Sequence, residues 1–185
     1  MDLSSTEIVS GDRKISIVSS ILAQKSEIIS NRRWFHQHPE LAFSEFDTAA
    51  KIVEHLRNYG ITEIMEKCGR TGVVAMIHGD QPGPCIALRA DIDALPLTET
   101  GDVPYKSQNE GKMHACGHDG HICGLLSAAK VLNSPEVRAV MKGSVKLLFQ
   151  PGEEGYAGAR EMIKDGCLEG NRGFGPIVDS VSVFI

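Results

Sequence analysis

The strongest chemical signal in this sequence is a cluster of metal-ligand residue types in the stretch Met-His-Ala-Cys-Gly-His-Asp-Gly-His at residues 113–121. It holds three of the seven histidines and one of the five cysteines. Cys116 and His118 are two residues apart, so in an extended backbone both side chains point the same way and could meet one ion. A thiolate with an imidazole suits Zn²⁺, and added carboxylates widen the choice to Mn²⁺ or Co²⁺. We therefore predict a metal site rather than a surface loop with chance histidines, and we expect Asp119 to cap the helix that follows.

A pair of adjacent glutamates is the second signal. Glu153 and Glu154 follow the apolar run 145–149 through a Gln-Pro-Gly loop, and the loops that follow strands commonly form the sites of α/β proteins. In extended backbone, adjacent side chains point to opposite sides. One carboxylate could then bind a metal while the other faces a water molecule as general base. Taken alone, the segment fits a solvated acidic turn equally well.

Two aspartates end another apolar run. Asp91 and Asp93 share one face at the end of a predicted strand, where they could bind a metal or orient a ligating histidine. An ion pair between Asp91 and Arg89 is the alternative interpretation.

The elements that must position these residues indicate an α/β fold. Three apolar runs are predicted strands, the first two joined by a Gly/Pro-rich turn: 72–77, 85–88 and 145–149. Four segments are predicted helices: 15–29, 45–59, 119–132 and 157–163. Ser44 is the predicted N-cap of the second helix, and residues 177–185 alternate like a further strand. Strands interleaved with helices predict a sheet covered by helices.

Composition excludes several classes of protein. The chain has 185 residues, is 42% hydrophobic and carries a net charge of −5, which disfavours a nucleic-acid or anionic-membrane partner. No apolar run is long enough to span a bilayer. The N-terminus shows no secretory signal, and the five cysteines are widely spread with no Cys-x-x-Cys pair. We therefore expect reduced thiols and a cytoplasmic location.

Four stretches in order resemble one known family: 33–42 (RWFHQHPELA), 87–96 (ALRADIDALP), 111–121 (GKMHACGHDGH) and 148–155 (LFQPGEEG). The chain resembles the metal-dependent amidohydrolases that include IAA-amino acid hydrolases, hippurate hydrolases and N-acyl-amino-acid amidohydrolases, which are relatives of aminoacylases and carboxypeptidases. The resemblance implies a mixed sheet flanked by helices in a zinc-peptidase-like catalytic domain. That domain would occupy residues 32–185, after an N-terminal helical segment at residues 1–31.

The resemblance also implies roles for the matching residues. Cys116, His118 and Glu154 correspond to metal ligands, and Glu153 corresponds to the general base that takes a proton from a metal-activated water. Asp93 corresponds to an aspartate that supports a metal ligand. The implied reaction is hydrolysis of the amide bond of a small N-acyl amino acid, with two divalent ions, Mn²⁺ or Zn²⁺, as cofactors of the complete enzyme. Full-length relatives are often homodimers.

Three other residues of these motifs are not predicted to be metal ligands. Asp91 stands where some relatives have a ligating histidine, so its role is open. His114 and His121 belong to the motif but are not predicted ligands.

The sequence departs from the family in its last part. The family takes two further ligating histidines from downstream, whereas the last histidine here is His121. We therefore expect the incomplete N-terminal part of a longer enzyme, without the inserted dimerisation domain. One alternative is a non-catalytic, metal-binding remnant of such an enzyme. Another is a thiol hydrolase with Cys116 as nucleophile and His118 as base, which their close spacing disfavours. The acyl and amino-acid specificity stays open.

Overall fold

The computed structural model describes residues 7–10, 13–169 and 174–183. The strands are β1 (Glu7–Ser10), β2 (Arg13–Ser16), β3 (Ile64–Cys68), β4 (Gly72–His78), β5 (Gln81–Asp91), β6 (Lys142–Gln150) and β7 (Ser180–Val183). The helices are α1 (Ile17–Leu22), α2 (Lys25–Gln37), α3 (Phe46–Asn58), α4 (His118–Leu132), α5 (Pro135–Arg138), α6 (Glu153–Tyr156) and α7 (Gly158–Lys164). None of the helices within the described residues has the length and apolarity that crossing a membrane would need.

The central sheet is mixed and has the strand order β3-β4-β6-β5-β7. Strands β3, β4 and β6 are antiparallel neighbours, whereas β5 is parallel to both β6 and β7. Residues 144–150 of β6 are all buried, as expected for a central strand that is covered on both faces. The predicted mixed sheet flanked by helices is confirmed.

Side chains alternate between two apolar clusters on the two faces of this sheet. The larger cluster joins α2, α3 and α4 to the sheet through buried residues that include Phe35, Ile52, Leu56, Ile122, Leu125, Val73, Ala75 and Phe149. The smaller cluster lies on the opposite face and contains Cys68, Val74, Ala87, Leu148, Met162 and Cys167. The two clusters thus hold the helices against the sheet. The charged residues singled out in the sequence lie at the end of the sheet where β5 and β6 terminate.

Most predicted elements lie within a few residues of the observed ones, but two expectations were wrong. The predicted helix 15–29 is two helices, separated at Ala23 and Gln24, and its first two residues belong to β2. The break is set by a tertiary contact, because buried Gln24 accepts a hydrogen bond at 3.2 Å from Ser127 of α4. In addition, Glu45 rather than Ser44 takes the N-cap position of α3.

Two other expectations concern the ends of the described chain. Helix α2 crosses residue 31, where the N-terminal segment was predicted to end, and the division of the chain into two parts stays a prediction. The strand expected at 177–185 is observed as β7, and its last two predicted residues lie outside the described part.

Candidate metal centre

The three chemical signals of the sequence meet at one edge of the sheet. Strands β5 and β6 are parallel, and their last residues, Asp91 and Gln150, are paired in register. The loops that follow them therefore leave the sheet side by side, as is common for sites in α/β folds. Helix α4 begins with His118 at the same edge, and His118 Nε2 lies 3.5 Å from an oxygen of Asp91.

The structure forms two overlapping groups of potential ligands that share His118. One consists of Cys116, His118 and Glu154, and the other of Asp91, His118 and His121; within each group the ligand atoms lie within 4.8 Å of one another. His118 Nδ1 donates a hydrogen bond to the backbone carbonyl of Asp93 at 2.9 Å. Only Nε2 of His118 is left for a metal, so an ion can use this ring in one group at a time.

The partners of Asp91 show which group is free to bind an ion. Arg89 Nη1 donates to one oxygen of Asp91 at 2.8 Å, and His121 Nδ1 lies 2.6 Å from the other. In contrast, Glu154 Oε1 is buried and has no hydrogen-bond partner among the described residues. Sulfur, nitrogen and carboxylate oxygen together suit a divalent transition metal such as Zn²⁺. The group of Cys116, His118 and Glu154 therefore fits an ion, while Asp91 forms the ion pair with Arg89 that the sequence left as the alternative.

Acidic side chains dominate the electrostatics of the site. Burial raises the pKa of the Cys116 thiol, and the carboxylates of Glu154, Asp91 and Glu153 raise it further. Burial alone lowers the pKa of His118, but its hydrogen bond to Asp93 and the charge of Asp91 raise it overall. The site is thus a negative environment that a cation would relieve.

Cys116 and His118 come together through a turn. Gly117 has a φ of +91° and precedes α4 as its N-cap, so the extended backbone predicted for this stretch is wrong although the two ligands do meet. Asp119 does not cap the helix as predicted, because it already lies in its first turn. One oxygen of Asp119 accepts from the amide of Gly120 at 2.8 Å, and the other points back to α2.

The two glutamates also differ from the prediction for extended backbone. They lie in the short turn α6, where Glu154 has a non-helical backbone. Carboxylate oxygens of both Glu153 and Glu154 lie 3.8 Å from His118 Nε2, so the side chains do not point to opposite sides. The side chain of Glu153 is 41% exposed and that of Glu154 is 23% exposed, which leaves Glu153 nearer to solvent.

Asp93 joins the two ligand-bearing loops. Its backbone carbonyl holds His118, and its Oδ2 accepts the amide of Glu154 at 3.0 Å. Burial raises the pKa of Asp93, but the hydrogen bond from His118 and the amides of Glu154 and Glu153 bring it below its usual range. Oδ1 of Asp93 is buried and lies 3.4 Å from His118 Nδ1, a contact that is not aligned as a hydrogen bond.

Close backbone packing fixes the turn at residues 152–155 that carries Glu153 and Glu154, called the acidic turn below. A Cβ at Gly158 would lie 1.7 Å from the carbonyl oxygen of Pro151, and one at Gly72 would lie 2.8 Å from the Pro151 ring. Both distances are too short for any side chain. The absence of side chains at these two glycines therefore lets Pro151 sit between α7 and the start of β4.

A charged network behind the site was missed by the sequence analysis. Asp119 Oδ2 accepts from His36 Nδ1 at 2.7 Å and from Arg32 Nε at 2.9 Å. The other ring nitrogen of His36 lies 3.2 Å from Glu99, and both residues are buried. The four-residue spacing of Arg32 and His36, which puts both on one face of α2, is the only signal in the sequence.

His114 lies near these groups but does not join them. Its ring is buried, and neither ring nitrogen has a hydrogen-bond partner in the part of the chain that is described. Burial lowers the pKa of His114 to about 4. It is not in either ligand group, in agreement with the sequence analysis.

A cavity of about 750 Å³ opens beside the candidate site. Its polar side is formed by residues of the two ligand groups together with Arg89 and Glu153. Its apolar side is formed by residues that include Leu148, Met162, Ile163, Leu168 and Val181. The cavity thus places an apolar wall next to the potential metal ligands.

Comparison with known proteins identifies the family to which the sequence is similar. The profile of peptidase family M20/M25/M40 matches residues 87–181. The chain is 44% identical over 155 residues to the hippurate hydrolase of Campylobacter jejuni, covering 84% of this chain and 39% of that protein. It is 49% identical over 146 residues to the N-acetyl-L-cysteine deacetylase of Bacillus subtilis, covering 79% and 34%.

The fold is similar to that of solved structures as well. The YXEP protein of Bacillus subtilis, described as a dinuclear metal binding peptidase from the M20 family, superposes with a TM-score of 0.79 and 42% identity. The match covers 88% of this chain and 43% of that one. The chain thus spans 34–39% of the length of the two curated relatives above.

Proposed function

Because this chain belongs to peptidase family M20/M25/M40, we propose that it serves the metal-dependent hydrolysis of the amide bond of small N-acyl amino acids. The observation that carries the proposal is the meeting of Cys116, His118 and Glu154 at the sheet edge, with Glu153 beside them. The names of two relatives, hippurate hydrolase and N-acetyl-L-cysteine deacetylase, support the substrate class. Their acyl groups differ, benzoyl in one and acetyl in the other, so the proposal stops at the class.

In the proposed reaction, different residues bind the metal, orient its ligand and transfer the proton. Cys116, His118 and Glu154 would hold the ion, and Asp93 fixes His118 with Nε2 turned toward it. Glu153, the more exposed glutamate, would take a proton from the attacking water and pass it to the leaving nitrogen. A bound Zn²⁺ or Mn²⁺ would supply polarisation of the substrate carbonyl and an acidified water.

The number of ions and the partners are further parts of the proposal. A second divalent ion is proposed because a similar solved protein is described as dinuclear. Dimerisation, a cytoplasmic location, and the lack of nucleic-acid or membrane partners stay predictions from the sequence.

A second candidate function is metal binding without turnover. It is favoured by the observation that the two ligand groups of the described residues share one histidine nitrogen, so that they hold a single ion at a time. A thiol hydrolase is less well supported, since the raised pKa of Cys116 disfavours the thiolate that would have to attack.

Replacement of the two glutamates tests the proposal. We expect Glu153→Gln to lower the hydrolysis of hippurate or N-acetylcysteine by about 10²–10⁴-fold, the usual contribution of a general base, while the bound metal is retained. Glu154→Gln should instead lose metal. Activity is measured with added Mn²⁺ or Zn²⁺ and metal content by elemental analysis, with Glu161→Gln on α7 as the control.

Each outcome of this experiment has a defined meaning. If Glu153→Gln stays active and loses metal, the roles of the two glutamates are exchanged. If the wild-type chain binds metal but hydrolyses neither substrate with either ion, the second candidate function replaces the first.

A further inference from the structure

We infer that Glu45 is a positioning residue of this site, because its carboxylate holds the backbone turn that presents Glu153 and Glu154. The role of Glu45 in positioning the site rests on the proposed function, whereas its hydrogen bond to the turn is observed independently of that function. Glu45 Oε1 accepts the amide of Gly152 at 2.9 Å, across 107 residues of sequence. Its Oε2 accepts the hydroxyl of Thr71 at 2.5 Å.

The environment of Glu45 is unusual for a carboxylate. The residue is fully buried, and no basic side chain of the described chain lies within ion-pair distance of it. Burial raises the pKa of Glu45, and the hydrogen bonds from Thr71 and Gly152 offset only part of that effect. A buried carboxylate without a cation destabilises a fold, so an apolar residue would serve stability better here. What the carboxylate supplies is an acceptor for a particular backbone amide.

That amide belongs to the residue directly before Glu153. Gly152 has a φ of +56°, and a Cβ on it would lie 3.0 Å from the ring of Phe43. The loop that carries Phe43 and Glu45 therefore packs directly against the turn.

The two ends of the acidic turn are thus held in the same way. Gly152 is held through its amide by Glu45, and Glu154 is held through its amide by Asp93 at 3.0 Å. Glu153 lies between these two anchored amides. Gly152 also accepts at its carbonyl from the amide of Gly158 at 3.0 Å, so loss of the Glu45 contact would loosen this end of the turn and let Glu153 and Glu154 move away from His118.

The test compares Glu45→Met, which keeps the volume but removes both acceptors, with Glu45→Gln, which keeps one amide oxygen for Gly152. Val53→Ala is the matched control, since it destabilises the buried face of the same helix without touching the turn. Amide hydrogen exchange is followed at residues 152–155. Co²⁺ affinity is titrated through the cobalt–thiolate absorption band of Cys116.

We expect Glu45→Met to speed exchange at residues 152–155 at least about tenfold beyond Val53→Ala, and to weaken Co²⁺ binding about tenfold, the lower end of what loss of an outer-shell partner costs. Glu45→Gln should restore most of both values, which a general loss of stability would not do. The inference is overturned if Glu45→Met and Val53→Ala give the same exchange and the same Co²⁺ affinity.

Two further outcomes are also decisive. If Glu45→Met does not fold, the wild-type chain still decides, since a Gly152 amide that exchanges as fast as an unprotected one would overturn the inference. If wild-type protein shows no cobalt–thiolate band, the proposed function fails at its metal, while the exchange data still decide the role of Glu45.

Discussion

At the scale of single residues, His118 Nε2 is shared by two groups of potential ligands, and the hydrogen bonds of its neighbours favour one of the two groups for an ion. Asp91 already accepts hydrogen bonds from Arg89 and His121. We expect Cys116→Ala to weaken Zn²⁺ binding by more than about 100-fold, because loss of a mere outer-shell partner already costs about 10–100-fold. His121→Ala should cost less than about tenfold. Competition with a chromogenic chelator measures both.

Cys123→Ala is the control for this pair of variants, because Cys123 is a buried core thiol of the same helix α4. A larger loss of affinity in His121→Ala than in Cys116→Ala would mean that the ion binds in the group of Asp91, His118 and His121 instead.

The type and spacing of residues predicted the potential ligands that the structure brings together, but could not predict the residues that hold them in place. Cys116, His118 and Glu154 form one group, as expected. Glu45 is different, because its partner Gly152 lies 107 residues away and is reached only when two loops pack together. The spacing of residues along the sequence does not indicate a hydrogen bond between two such distant loops. For Asp91, the structure shows the ion pair with Arg89, two residues earlier on β5, that the sequence offered as an alternative.

At the scale of secondary structure, the start of α4 has to be fixed because His118 is its first residue. The network of Asp119, His36, Glu99 and Arg32 ties this turn to α2. We expect His36→Ala to lower the free energy of unfolding by about 1–3 kcal/mol, since Asp119 and Glu99 each lose one buried hydrogen-bond partner while Arg32 still pairs with Asp119. Urea denaturation followed by circular dichroism measures this loss.

The exposed pair of Arg57 on α3 and Glu66 on β3 provides the comparison. Arg57→Ala should change the free energy of unfolding by only about 0.2–1 kcal/mol. A loss below about 1 kcal/mol in His36→Ala would contradict the view that this network anchors α4, because it would equal the worth of a surface ion pair.

Elements with a regular apolar period were predictable, whereas those set by tertiary contacts were not. The buried face of α3, with Ile52, Val53 and Leu56, follows from helical spacing. The placement of β6 between β4 and β5 does not follow from sequence order, since β4 and β5 are separated by only residues 79–80. The left-handed turn at Gly117 likewise replaced an expected extended stretch, because glycine adopts a positive φ at little cost.

At the scale of the whole molecule, the candidate site joins three distant parts of the chain. Cys116 and His118 come from the start of α4, Glu154 from the turn after β6, and Asp93 from the loop after β5. An ion bound there would link loops that otherwise touch through a few hydrogen bonds. Such an ion binds the folded chain and lacks its site in the unfolded one, so binding must stabilise the fold.

This linkage gives a prediction for thermal unfolding. Zn²⁺ at about 100 times its dissociation constant should add about 2.7 kcal/mol, which corresponds to a rise in Tm of about 5–11 °C for a domain of this size. Mg²⁺ should raise Tm much less, because it prefers oxygen ligands and gains little from a thiolate. Scanning calorimetry with each ion, and with a chelator added afterwards, measures the shift. Cys116→Ala should remove most of the Zn²⁺ effect; a shift that survives in this variant would locate the stabilising ion elsewhere on the molecule.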